Sequence, residues 1–457
     1  VSGLAEKLLE RAVLSIKAKD WDAALRTLSD AVRFDPNMHD AWILRGNVCA
    51  AQERYLDAVL HYERALTIDR RLPDAWNNLG TALSNLGMFD IAKSAFRQSL
   101  EAQDAWEPHV GLGNMFTTLM DLKQAEEHFR RALELDNSAE RYFQLGCVQL
   151  GQGNWREGFE GYACRWLDSP QMPLARRALP HWKGEDLTGK SIVLYADQGF
   201  GDEIMCLRFA NRDYLGGAAH IVVQARAPLT EIAKRSLDAD VIALHGPLPR
   251  ADYSCALLEI PMVLGLGWDQ VDHPPYLFVD RYRSGRWKER IPKGFNVGVC
   301  WMSGGHFSTT LSIQRTKSMP VEMLRAFKLP GVNLISLQKP IMEKVPVDIQ
   351  MIDWMDEIDD FSDTAALIDN LDLVISVDTA VAHIAAAIGK RTWNLVRFSG
   401  YWPWLSPDVC GPSKSIWYSC MRLYRQPRGG DWQEPVTRIA KDLEGIVNGN
   451  AHAAGEN

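Results

Sequence analysis

The sequence predicts an α plus α/β architecture, in which an array of helix-pair repeats is followed by two domains of alternating strands and helices. Three observations on this 457-residue chain carry that reading. Residue types recur with a period of about 34 through the first third of the chain. Short apolar runs alternating with helical stretches fill most of the remainder. The length, at about 150 residues per domain, leaves room for roughly three cores.

Hydrophobic residues make up 46% and charged residues 24% of the chain, an ordinary globular balance. A net charge of −8, from 50 basic and 58 acidic residues, gives no general attraction to nucleic acid or to an anionic membrane, although a local basic patch can still bind phosphate. The eight cysteines form no C-x-x-C pair and lie mostly in apolar runs, which points to free thiols in a reducing, cytoplasmic setting. No membrane span is expected, because the longest apolar stretches carry Glu259, or Asp378 and His383, in their middle. The opening VSGLAEKLLERA reads as a charged amphipathic helix and not as a signal peptide, and Val1 implies that something precedes it in the natural protein.

The repeats come first. Small residues recur at Ala12, Gly46, Gly80, Gly113 and Gly146, and a second small series stands at Ala24, Ala58, Ala92, Ala125 and Gly158. Large residues follow at Leu28, Tyr62, Phe96, Phe129 and Tyr162, with Trp42 and Trp76 in a common phase and Pro36 closing a unit. This is the pattern of the tetratricopeptide (TPR) repeat, whose paired helices need a small residue where they cross and bulky ones between layers. Residues 1–166 hold about five such units, stacked as a superhelix whose inner face suits an extended peptide or another protein. A spacer or a homodimerisation element is the alternative use.

Residues 167–190, with the proline-containing SPQMPLARRALPHW, read as a linker. SIVLYA (191–196), HIVVQA (220–225), DVIAL (240–244) and SCALLEI (254–260) then read as buried strands of one domain, 191–290. FNVGVCW (295–301), NLISLQ (333–338), LDLVISV (371–377) and TWNLV (392–396) read as those of a second, 291–400. Two doubly wound, Rossmann-like domains facing a cleft bind ligands beyond the carboxyl ends of their strands. Residues 401–447 form an aromatic segment and a final helix near 433–447, and the tail 448–457 is expected to be disordered. Tyr401, Trp402, Trp404, Trp417 and Tyr418 are read mainly as packing where the final helix crosses back onto the first domain, although aromatic rings also stack on sugars.

Gly184–Ser191 satisfies the phosphate-loop expression G-x-x-x-x-G-K-[ST], and with Asp378 ending a Walker B-like strand it would make an NTPase. The context is wrong, because a strand follows Lys190 instead of preceding the loop. The better-placed loop, Asp197-Gln198-Gly199-Phe200-Gly201-Asp202, follows SIVLYA and opens a helix. Its Gly199 and Gly201 permit close backbone approach, and Asp202 is either a helix cap or a functional carboxylate. In VISVDTAVAHIAAAIG, Asp378 and Thr379 open a helix beyond a central strand, a place suited to an anion or to a simple cap, with His383 as a ligand or as core.

The stretches WKGEDLTGKSIVLYADQGFGDEIMCLRFA, VGVCWMSGGHF, QRTKSMP, LISLQK, FSDTAALIDNLDLVISVDTAVAHIAAAIGK and WYSCMRLYRQPRGGDW together resemble the TPR-bearing glycosyltransferases of the heptosyltransferase-like group, family 9. The resemblance implies the GT-B fold, with an acceptor-side domain first and a donor-binding domain second. It implies inverting transfer from a nucleotide-sugar without metal or other cofactor, and bacterial relatives act on flagellin or other surface proteins. It places Asp202 as catalytic base and Asp378, Thr379 and His383 in the D-T-G-x-x-H segment that meets the donor phosphates, with Ala380 replacing the usual glycine. Arg315 and Lys339 lie where basic groups would meet the diphosphate, Arg315 being equally suited to a surface ion pair.

Inverting transfer needs a base for the acceptor proton and positive charge for the departing diphosphate. A metal-binding role for Asp238-Ala239-Asp240 is discounted, because that triplet precedes a strand and so lies at the wrong end for a ligand. The expected partners are a protein acceptor on the repeats and a nucleotide-sugar. A repeat scaffold that keeps the fold without transfer is the alternative.

Overall fold

The computed structural model describes residues 2–167, 172–272, 275–304, 316–339, 344–400 and 402–449. The chain forms two compact units, 1–148 and 149–457.

The first unit is built from helical hairpins: α1 (Ser2–Lys17) with α2 (Trp21–Phe34), α3 (His39–Ala51) with α4 (Tyr55–Ile68), α5 (Pro73–Asn85) with α6 (Phe89–Ala102), and α7 (Trp106–Thr118) with α8 (Leu122–Leu135). Helices α9 (Ala139–Gly151) and α10 (Trp155–Ala163) continue the period, and the boundary between the units falls inside α9. The small and large residues of the sequence period meet inside the hairpins. A Cβ on Gly46 would stand 2.3 Å from the Tyr62 ring, and one on Gly80 or Gly113 would stand 2.8 Å from Phe96 or Phe129. Trp42 and Trp76 share a second duty, since their indole N–H groups donate to the carbonyls of Pro36 (3.0 Å) and Arg70 (2.8 Å) and so fasten the turn before each unit. Lys19, Glu53, Gly87, Met120 and Gly153 occupy the same turn in successive units, all left-handed with φ from 58° to 81°. Only glycine adopts that conformation without a Cβ penalty of roughly 1–2 kcal/mol, so packing between helices imposes it at the other three positions.

The second unit contains two parallel sheets. The first has strand order β3-β2-β1-β4, with β1 Ser191–Tyr195, β2 His220–Ala225, β3 Asp240–Ala243 and β4 Tyr253–Ala256. The second has order β6-β5-β7-β8-β9, with β5 Phe295–Cys300, β6 Val332–Ser336, β7 Leu373–Val377, β8 Thr392–Val396 and β9 Met421–Arg425. Ile192–Tyr195 and Leu373–Val377 are buried throughout, as strands covered on both faces must be. The order reverses beside β1 in one sheet and between β5 and β7 in the other, so the loops leaving β1, β5 and β7 open at the switch points where such folds bind ligands.

Three details differ from the sequence reading. Residues 172–190 are more than a linker: Leu174–Ala178 is helical, and residues 180–182 run beside β4, where the Trp182 N–H donates to the Ser254 carbonyl and the Ser254 N–H to the Pro180 carbonyl. MRLYR forms the edge strand β9, and residues 257–263 are helical turns where SCALLEI suggested a longer strand. The final helix, Gln433–Val447, does not make the expected crossing; its Val436, Ile439 and Leu443 pack with Trp393 and Tyr424 on the second sheet. Trp402 and Trp417 pack instead against Trp155 of α10, with Phe159 and Tyr162 also on Trp402, at ring centroids 5.5–6.0 Å apart. Asn448 and Gly449 continue from that helix, and the rest of the tail lies outside the described residues.

Candidate functional site

The loop after β1 is held from three sides. Asp197 accepts from the Trp166 indole at 2.8 Å and from Arg165. Arg226, just past β2, donates to the carbonyl of Gln198 and pairs with buried Glu203 at 2.6 Å. These ties fix the short helix Phe200–Cys206, at whose third position Asp202 accepts from the Gly199 N–H at 3.1 Å. Asp202 thus does cap the helix. Burial pushes its carboxyl up to about 6; Lys317 opposes this rise and the negative charge of Asp378 adds to it.

From the second sheet, Asp378 leaves β7 and meets Lys317 Nζ at 3.3 Å. Burial alone would raise its carboxyl, but the adjacent Lys317 ammonium opposes that, and the carboxyl is held below the usual range. Thr379 is the N-cap of the helix Ala380–Ala387, yet its hydroxyl turns to Ser376 (3.1 Å) and Cys300 (3.7 Å), which leaves the helix without a side-chain cap. His383, on that helix, is buried, and burial holds it at about 4, so the ring is neutral. It stacks on Trp404, and its Nδ1 lies 3.0 Å from the Tyr418 hydroxyl. Tyr418 meets Tyr276 at 3.3 Å, and Tyr276 meets the fully buried Arg208, which also donates to the carbonyls of Met205, Val271 and Trp417. Gly201 lets the two helices close on each other: a Cβ there would stand 2.8 Å from His383 Cδ2.

The fold therefore brings together Asp202, Gly199, Gly201, Asp378, Thr379 and His383. Gln198 serves the site through its backbone carbonyl. Lys339 turns its ammonium to the carbonyl of Ile358, and Arg315 lies outside the described residues. Lys317, two positions from Arg315 in QRTKSMP, is the cation at Asp378; a Met319 N–H bond to the Trp301 carbonyl (2.8 Å) brings its segment back beside β5. Arg397, at the end of TWNLV, is a second cation that the sequence reading passed over. Asp238 pairs with Arg212 at 2.8 Å and Asp240 starts β3, away from the strand ends that carry the site. Among the described residues, no group of three or more His, Cys, Asp or Glu side chains is arranged to hold a metal, and no helix is long and apolar enough to cross a membrane.

The phosphate-loop match has its own explanation. Lys190 faces Asp252 at 3.5 Å at the amino end of β1. Lys190→Ala is expected to leave nucleotide affinity within about threefold of wild type, below roughly 1 kcal/mol. A large loss of ATP binding on titration would restore the NTPase reading.

Comparison with known proteins agrees with this division of the chain. TPR repeat models match residues 46–87 and 73–105, and the glycosyltransferase family 9 (heptosyltransferase) model matches residues 360–396, which include Asp378, Thr379 and His383. The chain is 28% identical over 445 residues to Protein FlbA of Caulobacter vibrioides, covering 86% of this chain and 71% of that protein. It is 32% identical over 81 residues to Protein bimA of Emericella nidulans, 18% of this chain and 10% of that one. Among solved structures, a thermophilic TPR protein of Thermus thermophilus, TTC0263, is 18% identical, with a TM-score of 0.34 over 36% of this chain and 92% of its own. The chain carries TPR repeats followed by a parallel-sheet α/β region, within which residues 360–396 match the family 9 glycosyltransferase model.

Proposed function

We propose that this protein is an inverting glycosyltransferase that moves a sugar from a nucleotide-sugar to a hydroxyl of a protein acceptor held by the repeats. The observation that carries the reading is the convergence of Asp202, from the first sheet, with Asp378 and Lys317, from the second, where two helices close at Gly201 and His383. Asp202 takes the acceptor's proton as the hydroxyl oxygen bonds to the anomeric carbon. The bond from that carbon to the donor phosphate breaks with its electron pair, which stays on the phosphate oxygen. Attack from the face opposite the leaving group inverts the centre. Lys317 and the uncapped start of the Ala380–Ala387 helix offer positive charge to the departing group without a metal. Asp378 restrains Lys317, and the Tyr418 hydrogen bond fixes the His383 ring. The acceptor class that fits the resemblance is flagellin or another surface protein, modified in the cytoplasm before export; a homodimer through the repeats is compatible with this.

The test separates chemistry from recruitment. A nucleotide-sugar panel is assayed for nucleotide release and for mass gain on a flagellin acceptor, using the full chain and a chain lacking residues 1–100. The shortened chain, first shown to unfold cooperatively, is expected to keep donor binding and slow donor hydrolysis and to lose modification of the folded acceptor, because the repeats position its hydroxyl. Full-rate acceptor modification by the shortened chain would move acceptor binding off the repeats. Absence of turnover with every donor would favour the scaffold.

A further inference from the structure

Strands β7 and β8 pair with Val377 opposite Leu395, so Asp378 and Arg397 leave neighbouring strand ends. Arg397 has no deprotonated form to retreat to in a folded protein. Its Nε is closed off from solvent and meets no acceptor among the described residues, and the acid whose charge reaches it, Asp378, is already paired with Lys317. The next strand end repeats the pattern. Arg425, opposite Val396 in β9, donates to the carbonyls of Pro412 and Trp404, while its Nη1 is buried without an acceptor among the described residues. Gly400 lies between the two strand ends, where a Cβ would stand 3.5 Å from Arg425 Nη1. Two guanidinium nitrogens without partners among the described residues thus sit at the carboxyl edge of the second sheet, on the strands next beyond β7.

A guanidinium nitrogen closed off from solvent without an acceptor leaves a donor unmet, and an anion bound in the working state would satisfy it. We propose that Arg397 binds the phosphate of the donor nucleotide alongside Lys317, an inference that rests on the donor-site reading above. Phosphate suits the position because guanidinium offers it a planar fork of donors, whereas the Lys317 ammonium, engaged by Asp378, supplies a point charge.

Wild type, Arg397→Met and Arg397→Lys are titrated calorimetrically with UDP, GDP, ADP, CDP and CMP and with the corresponding nucleosides, and their ligand-free melting temperatures are measured. The nucleotide that binds wild type is expected to bind Arg397→Met at least tenfold more weakly, with Arg397→Lys between them and nucleoside affinity unchanged. The ligand-free Met variant should melt at or above the wild-type temperature, because a donor without an acceptor has been removed. Nucleotide affinity within twofold of wild type in Arg397→Met would overturn the proposal. So would a lowered melting temperature with equal losses for nucleotide and nucleoside, which would make Arg397 a structural residue. Failure of wild type itself to bind any of the nucleotides would instead overturn the donor-site reading beneath it.

Discussion

Asp202→Asn is expected to lower sugar transfer by about 10²–10⁴-fold while nucleotide affinity stays near wild type. Asparagine keeps the size of the side chain and an oxygen able to accept from the Gly199 N–H, so the helix cap survives and only basicity is lost. The pH profile gives an independent reading. With burial pushing the Asp202 carboxyl up to about 6, the wild-type rate should rise as pH increases through that value and level off above it, since only the ionised form accepts a proton. The residual activity of the Asn variant should lack that limb. Retention of the limb would assign it to another group, and unchanged turnover would leave Asp202 as a cap alone. Rates measured across pH 4.5–8.5, with donor affinity followed in parallel, decide between these outcomes.

Glu259→Gln is expected to be the most destabilising single change near the site. The Glu259 side chain is 1% exposed and receives Arg176 at 2.8 Å, Arg165 at 3.1 Å and His181 at 3.4 Å. Asp197, equally enclosed, shares Arg165. Burial holds His181 below the usual histidine range, with Glu259 only partly opposing, so two guanidinium groups balance two carboxylates. Removing one carboxylate leaves an uncompensated buried cation, at a cost of about 3–5 kcal/mol. For a unit spanning residues 149–457 that is a fall in melting temperature of roughly 5–8 °C. Adding Arg176→Met should recover much of the loss by restoring the charge balance, which a double-mutant cycle measures. Because Asp197 begins the loop that carries Asp202, transfer should fall along with stability. An unchanged melting temperature would mean that water, not Arg165 and Arg176, satisfies Glu259.

The helical repeats were legible because their information is local and periodic: Gly46 with Tyr62, and Gly80 with Phe96, lie 16 residues apart in one hairpin. Eight of the nine strands among the described residues were legible as apolar runs, which are continuous where a parallel strand is buried on both faces, as in β1, β5 and β7. The edge strand β9 escaped because Arg422 and Arg425 interrupt its pattern, which an edge position tolerates. Asp202 and Asp378 stood out in sequence because a strand, a turn and a helix start leave a recognisable order of residues. That order also fixed where a ligand belongs, beyond the strand ends. It did not fix which cations serve it. Lys317 reaches Asp378 only because residues 316–319 fold back onto the end of β5, and Arg397 becomes a neighbour of Asp378 only through the register of β7 and β8. The line from Arg208 through Tyr276 and Tyr418 to His383 joins residues as much as 210 positions apart. Local order along the chain determined the repeats, the strands and the two acids, whereas the cations and the supports of His383 were decided by tertiary structure, because charge and hydrogen bonding depend on distances in space that no local spacing encodes.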